Sequence, residues 1–412
     1  MRYFRHSELA DKYHVSLKTV HNWIDAAKRG GVELKLHKVN RFTYIADTPE
    51  NDLVLNQLAD KGKKYRNTLH HKIATPIPEF YKLYEPKQIL DIISNLTIHR
   101  EIPRQYNYFD QGAVNWENYA DKMWHESTPN LLKSTVELLR TNLGSIDRLI
   151  EQYDQVNIID IGPGNGLPVK ELLEHLIERK LLKRYIAVDI SKEMLNIVER
   201  NINEWFGGKI NFEGHVRDIT HERFDDLLVD DRLNKNADKT VNVVLLLGAT
   251  PMNFQSPYDI LRSIYASMGK NDLLFYTDKP DTEAERRHFA VNADPGASAL
   301  SAKYSYIFDL LNIDESLYDV EMGFNEAKRV RYIRVRLKVA LTIKFQFEDN
   351  ERNVVLDKGD TILLWRVWHQ TGLEIISEFE KVGFSLLQWS LTKDRQFALS
   401  ISGVEVKEPL GA

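Results

Sequence analysis

Apolar positions along the chain fall into two periods. VNIIDI (156–161), YIAVDI (185–190) and VNVVLLLG (241–248) are near-continuous apolar runs of strand length, the pattern of strands covered on both faces. Between the first two, PVKELLEHLIERK (168–180) repeats its apolar residues at helical spacing. Strand, helix and strand of these lengths predict a βαβ unit in a doubly wound α/β sheet. Nearer the start, Leu9, Ala10 and Tyr13 are spaced for one short helix. Val15, Val20, Trp23 and Ile24 mark the inner stripe of a second, with Ser16 as its N-cap. KLHKVNRFTYI (35–45) alternates like a β-wing, residues 50–60 read as a helix, and Pro86 opens another across PKQILDIISNL. Pro76 and Pro78 mark a boundary between this head and the body.

Composition narrows the class. The chain has 412 residues, 43% hydrophobic and 28% charged, enough for two or three domains with real cores. No uncharged apolar run reaches the length of a membrane helix, and MRYFRHSELADKYHV carries no signal-like apolar segment. The expected location is therefore the cytoplasm, with no membrane partner. Zero cysteines exclude disulfides, thiolate metal sites, cysteine nucleophiles and the cysteine-dependent C5 methylation of cytosine. The net charge of −5 is unevenly spread: residues 1–75 carry 14 Lys+Arg against 8 Asp+Glu, the remainder 41 against 52. A basic head on an acidic body suggests that the head alone meets a polyanion.

The first helices resemble a helix-turn-helix: a small residue (Ala10) early in helix one, an apolar residue (Val15) just after the turn, and His14 where the motif often has glycine. With the wing, this implies a winged helix-turn-helix over residues 1–72. Lys18, Thr19, His21 and Asn22 would reach a groove of duplex DNA, and Lys35, Lys38 and Arg41 its phosphates. Such folds also serve as protein-docking modules, and a homodimer is the expected state of a small DNA reader.

The strand 156–161 runs into D-x-G-x-G-x-G, namely Asp160, Gly162, Gly164 and Gly166. Glycines let the backbone pass close to a ligand, and Asp189 at the end of the second strand is placed to accept both ribose hydroxyls. Nicotinamide or flavin is the alternative ligand for such a turn. An acid at its start, however, would repel a pyrophosphate and suits an ammonium. The pattern resembles class I S-adenosylmethionine methyltransferases, which implies adenine near Asp218 and a fourth strand ending at Gly248.

Several segments in order are similar to the histidine-specific N-alpha-methyltransferases of ergothioneine biosynthesis. They are YFDQGA (108–113), LLLGATPMNF (245–254), LLFYTDKPD (273–281), the stretch 305–338, GDTILL (359–364) and QWSLTKDRQFALSIS (388–402). The resemblance implies S-adenosylmethionine as cofactor, Asn253 gripping the amino-acid backbone of the acceptor, and Phe109 near an aromatic of its pocket. At the positions where the family reads the imidazole stand Trp365 and Val367, so a buried imidazole would lose a hydrogen bond. Trp116, Tyr119, Trp124, Trp365, Trp368 and His369 gather in segments expected to cap the cleft, where aromatics could surround an amine. Asn253, Tyr108 and Tyr119 are the expected orienting residues, and Asp278 a structural acid.

The predicted organisation is a winged helix-turn-helix (1–72), a linker with a substrate-side helical segment (73–125), a Rossmann-like cofactor domain (126–290), and an inserted α+β substrate domain with closing strands (291–402). The predicted activity is methyl transfer to a nitrogen of an amino-acid-like, peptide or related small-molecule amine. The alternative is a DNA-binding regulator whose methyltransferase-like body senses S-adenosylmethionine or another ligand. Nucleic-acid amino-methylation is weaker, since GATPMNF lacks the paired proline and following aromatic of those enzymes.

Overall fold

The computed structural model describes residues 3–13, 15–39, 42–69, 71–233, 237–248, 250–251, 254–281, 300–347 and 350–404. His14, Arg41 and Asn253 lie outside the described residues. The chain forms two compact units, one of Met1–Ile73 with Val339–Thr342 and Leu356–Lys358, the other of the remainder.

In the first unit, helices His6–Lys12 and Leu17–Lys28 bury Leu9, Val20, Trp23 and Ile24 in one core with Ile45 and Leu55. The Ser16 hydroxyl caps the second helix by accepting the Thr19 amide at 3.2 Å, as its position predicts. Strands Leu36–Val39 and Phe42–Ala46 pair antiparallel, so the stretch expected to alternate over 35–45 is a hairpin. Tyr3–Phe4 adds a third strand on its other side. Buried Asn51 ties this hairpin to the next helix. Its Nδ2 donates to the Ala46 carbonyl at 2.8 Å and the Lys35 carbonyl at 3.1 Å, and its Oδ1 accepts the Lys35 amide at 2.7 Å. That helix runs Pro49–Leu69, past the expected end at residue 60, because the basic run after it contains no breaker other than Gly62.

The second unit is organised by a seven-stranded sheet. Its order is Phe384–Leu391, Ala398–Val404, Leu273–Asp278, Thr240–Leu246, Gln155–Ile161, Leu182–Asp189, Phe212–Val216. The last five are mutually parallel, and Ala398–Val404 runs antiparallel to both neighbours. This is the Rossmann-like arrangement that the βαβ pattern predicts. Alternating side chains feed two cores: Val156 and Ile158 pack with Leu138, Leu172 and Val198, while Ile159 and Ile161 pack with Ile260, Ile264 and Phe379. Burial on both faces explains why these strands read as continuous apolar runs. A separate antiparallel sheet of Tyr318–Asn325, Val330–Leu337 and Thr361–Trp368 follows the helix Ala302–Leu310. Among the described residues, no helix is long and apolar enough to cross a membrane.

The short helical turn Arg104–Tyr108 is joined to the helix Gln111–His125 by a tight corner. A Cβ on Gly112 would lie 2.1 Å from the Asn107 carbonyl oxygen, so the corner closes only over glycine. Gly112→Ala should therefore destabilise the protein by about 1–3 kcal/mol. The check is urea denaturation, with a lower midpoint and an unchanged slope expected.

Candidate functional site

The parallel strands Gln155–Ile161 and Thr240–Leu246 are neighbours whose following helices pack on opposite faces of the sheet. A crevice opens at such a reversal of strand order, outside the carboxyl ends of the strands. The glycine turn stands there. Gly162, Gly164 and Gly166 have φ of +64°, +63° and +74°, the left-handed region open to glycine. Both sides of the turn are in close contact. A Cβ on Gly162 would meet Thr250 Cγ2 at 2.8 Å, and one on Gly164 would meet the Trp116 indole at 2.5 Å. The Thr250 hydroxyl also donates to the Gly162 carbonyl at 3.2 Å. Beyond the fourth strand, Gly248 (φ +65°) donates its amide to Thr277 Oγ1 at 2.7 Å, with open space where a Cβ would be.

Carboxyls stand at four strand ends. Asp160 is buried and accepts the Tyr185 hydroxyl at 3.0 Å. Burial pushes its carboxyl up to about 7. Asp189 accepts the Ser191 amide at 2.9 Å, and burial raises it to about 7 against that backbone bond. Asp218 accepts the Thr220 amide at 3.0 Å and the Thr220 hydroxyl through the same oxygen, leaving its other oxygen uncommitted by the turn. Asp278 is buried, accepts the Lys279 amide at 2.6 Å and the Tyr276 hydroxyl at 3.2 Å, and is pushed by burial to about 7. Both of these hydrogen bonds come from its own strand end.

On the facing side, Trp116 and Tyr108 pack on Ala113, Met194 and Ile197, next to the helix that follows Asp189. Tyr119, one turn along from Trp116, has the Lys303 ammonium 3.4 Å from its ring centre. Trp365 lies 6.5 Å from the Tyr304 ring and 5.9 Å from the Arg331 guanidinium. Trp368 Nε1 donates to the Phe254 carbonyl at 3.3 Å, directly after Asn253. Trp124 is half-buried. Phe109 is buried between Tyr84 and Tyr106, with ring centres 5.2 and 6.4 Å away, and His369 is buried edge-on against Phe324 at 5.2 Å. In the first unit, Lys18, His21 and Asn22 are exposed on the helix Leu17–Lys28, and Thr19 is half-buried in its capping turn.

Five residues here escape sequence reasoning. Tyr185 was readable: a hydroxyl in an otherwise aliphatic buried strand needs a partner, and Asp160 supplies it. Thr250, Arg104, Lys303 and Tyr304 carry no local signal.

The three carboxyls raised to about 7 fix the sign of a pH effect. Each binds a proton more tightly folded than unfolded, where aspartate titrates near ~4. Their contribution is fully present below ~4 and is lost as pH rises towards 7. Asp278→Asn, which keeps the shape, should flatten the fall of the urea midpoint between pH 4 and 7 relative to wild type. An equal slope in both proteins would count against the raised carboxyl.

Residues 88–403 match the family described as histidine-specific, S-adenosylmethionine-dependent methyltransferases. No curated protein matches the chain. Among solved structures, the chain is similar to an S-adenosylmethionine-dependent methyltransferase from Clostridium acetobutylicum, at 10% identity over 71% of this chain and 99% of that one, TM-score 0.39. It is similar also to the magnesium protoporphyrin IX methyltransferase of Synechocystis with bound S-adenosylhomocysteine, at 10% identity over 78% and 100% of the chains, TM-score 0.37. A third is a glycopeptide N-methyltransferase complexed with S-adenosylhomocysteine, at 10% identity over 64% and 88%, TM-score 0.32. With more than half its length matched, the chain belongs to the histidine-specific, S-adenosylmethionine-dependent methyltransferase family.

Proposed function

We propose that this methyltransferase acts on a nitrogen of an amino-acid-like, peptide or related small-molecule amine, and that histidine itself is a poor acceptor. The observation that carries the cofactor side is the glycine turn held between Thr250 and Trp116, with Asp189 at the end of the adjacent strand. In this reading Asp160–Gly166 holds the methionine end, Asp189 accepts the ribose hydroxyls, and the free oxygen of Asp218 lies towards adenine. The cofactor supplies a sulfonium whose methyl needs only an aligned lone pair, so positioning does most of the work. Asn253, Tyr108 and Tyr119 are the proposed orienting residues. Against histidine stand Trp365 and Val367: Trp365 packs on Tyr304 and Arg331, and neither side chain accepts a hydrogen bond from an imidazole ring.

Asp189→Ala should weaken S-adenosylmethionine binding by ~1–3 kcal/mol through loss of charge-assisted ribose bonds. Calorimetry on the folded variant tests this, and unchanged affinity would remove the ribose assignment. Release of S-adenosylhomocysteine across a panel of amino acids, short peptides and amines tests the reaction. Turnover of other amines with little for histidine is expected. Efficient trimethylation of histidine would reverse the acceptor reading, and binding without any turnover would favour the ligand-sensing alternative.

A second reading concerns the head as a winged helix-turn-helix that meets duplex DNA. It is supported by the second helix, which turns Val20, Trp23 and Ile24 inward and leaves Lys18, His21 and Asn22 exposed. A mobility-shift titration of the full chain should show duplex binding at low salt. Lys18→Ala should weaken it across sequences and flatten its salt dependence, while Asn22→Ala should relax preference for one site. No shift at micromolar protein would end this reading.

A further inference from the structure

Two phenols and two cations interleave on the acceptor side of the glycine turn. Arg104 Nε donates to the Tyr108 hydroxyl at 2.7 Å, and its guanidinium lies 5.3 Å from the Tyr304 ring centre. The Lys303 ammonium lies 4.9 Å from that same ring. Tyr304 is only 6% exposed, and Trp365 stands at 6.5 Å from its ring. The groups facing Tyr304 come from every element around it. They are Arg104 and Tyr108 from the turn 104–108, Tyr119 from the helix 111–125, Lys303 from its own helix, and Arg331 beside Trp365.

Among the described residues, this cluster has no carboxylate of its own. Asp110 is taken by the Tyr306 hydroxyl at 3.0 Å, Asp189 acts on Tyr108, and Glu126 acts on Tyr119. Among the described residues, no carboxylate forms an ion pair with Arg104 or Lys303, and Arg104 Nη1 is buried without a partner. Two cations in such surroundings favour an anion between them. Both cations lie against the Tyr304 ring, at 5.3 and 4.9 Å from its centre. Burial pushes this phenol up, but Arg104 and Lys303 more than offset it and hold its ionisation below the usual tyrosine range.

We propose that Tyr304 is the base that takes the ammonium proton of the acceptor, with Arg104 and Lys303 holding its phenolate. This rests on the N-methylation reading above. The acceptor R–NH3+ gives one proton to the phenolate oxygen, leaving R–NH2 and a neutral phenol. The nitrogen lone pair then forms the N–C bond as the methyl–sulfur bond breaks with its electron pair retained on sulfur. The phenol afterwards returns its proton to solvent. The same two cations disfavour an ammonium beside them, so they help to free the lone pair before transfer.

The test reads near-ultraviolet phenolate absorbance against pH, using the full chain saturated with S-adenosylhomocysteine. Wild type should show one tyrosine ionising ahead of the others, which titrate near ~10 or above. Tyr304→Phe should abolish that early step, and Lys303→Met should move it to higher pH. No early step in wild type, or its survival in Tyr304→Phe, overturns the proposal. For any of the twenty amino acids that is turned over, Tyr304→Phe should lower kcat at pH 7 by about a hundred-fold. The loss should recover as pH rises towards the pKa of the amine, with KM for S-adenosylmethionine unchanged. An undiminished kcat at pH 7 likewise overturns it. If none of these acceptors is turned over, the N-methylation reading is what suffers, and the absorbance titration still decides on Tyr304.

Discussion

A Cβ at Gly164 would sit 2.5 Å from the Trp116 indole, so the helix Gln111–His125 can lie against the glycine turn only because the turn has no side chain there. That contact ties this helix to the strand ends of the sheet. The Gly112 corner aims the helix, Trp116 seats it on the turn, and Tyr119 one turn further along meets Lys303. A shift of the turn would therefore move this helix and Tyr119 together. In the proposed reading, in-line methyl transfer uses this coupling, because its rate depends on distance and alignment more than on a strong catalyst.

The sheet and the turn were legible because their physics is local. A strand buried on both faces is largely apolar, and a left-handed backbone favours glycine, so 156–166 could be read without its surroundings. The first two helices were legible for the same reason, through Val20, Trp23 and Ile24 on one stripe and Ser16 at the cap. Less was legible where local signals were absent. The helix after Pro49 continues past residue 60 through a basic run that has helical propensity but no apolar stripe. On the acceptor side, Phe109 belongs to an aromatic core with Tyr84 and Tyr106, a role that spacing alone cannot distinguish from lining a pocket. Lys303 and Tyr304 meet Arg104 only through the tertiary fold, so nothing near them in sequence announces the cluster.

Electrostatically, the two sides of the cleft are opposites. The side at the strand ends concentrates buried carboxyls, with Asp160 and Asp189 both raised to about 7, an environment that a cationic ligand relieves. The facing side concentrates cations around phenols. Under the proposed reading, a cation-favouring wall opposite a cation-repelling wall would welcome the sulfonium and discourage a protonated amine.

The place of Ala398–Val404 in the sheet has a consequence for biosynthesis. This strand pairs on one side with Leu273–Asp278 and on the other with Phe384–Leu391, so the chain's late segment fills an interior position. While the ribosome is still adding the intervening residues, Leu273–Asp278 presents an unpaired apolar edge, the kind of surface that recruits other strands. The nascent chain must hold that edge unsatisfied until Ala398–Val404 has emerged. Closure of the sheet is thus an event of long sequence separation, and a transcript or protease cut that removes this strand leaves an open template rather than a slightly smaller enzyme.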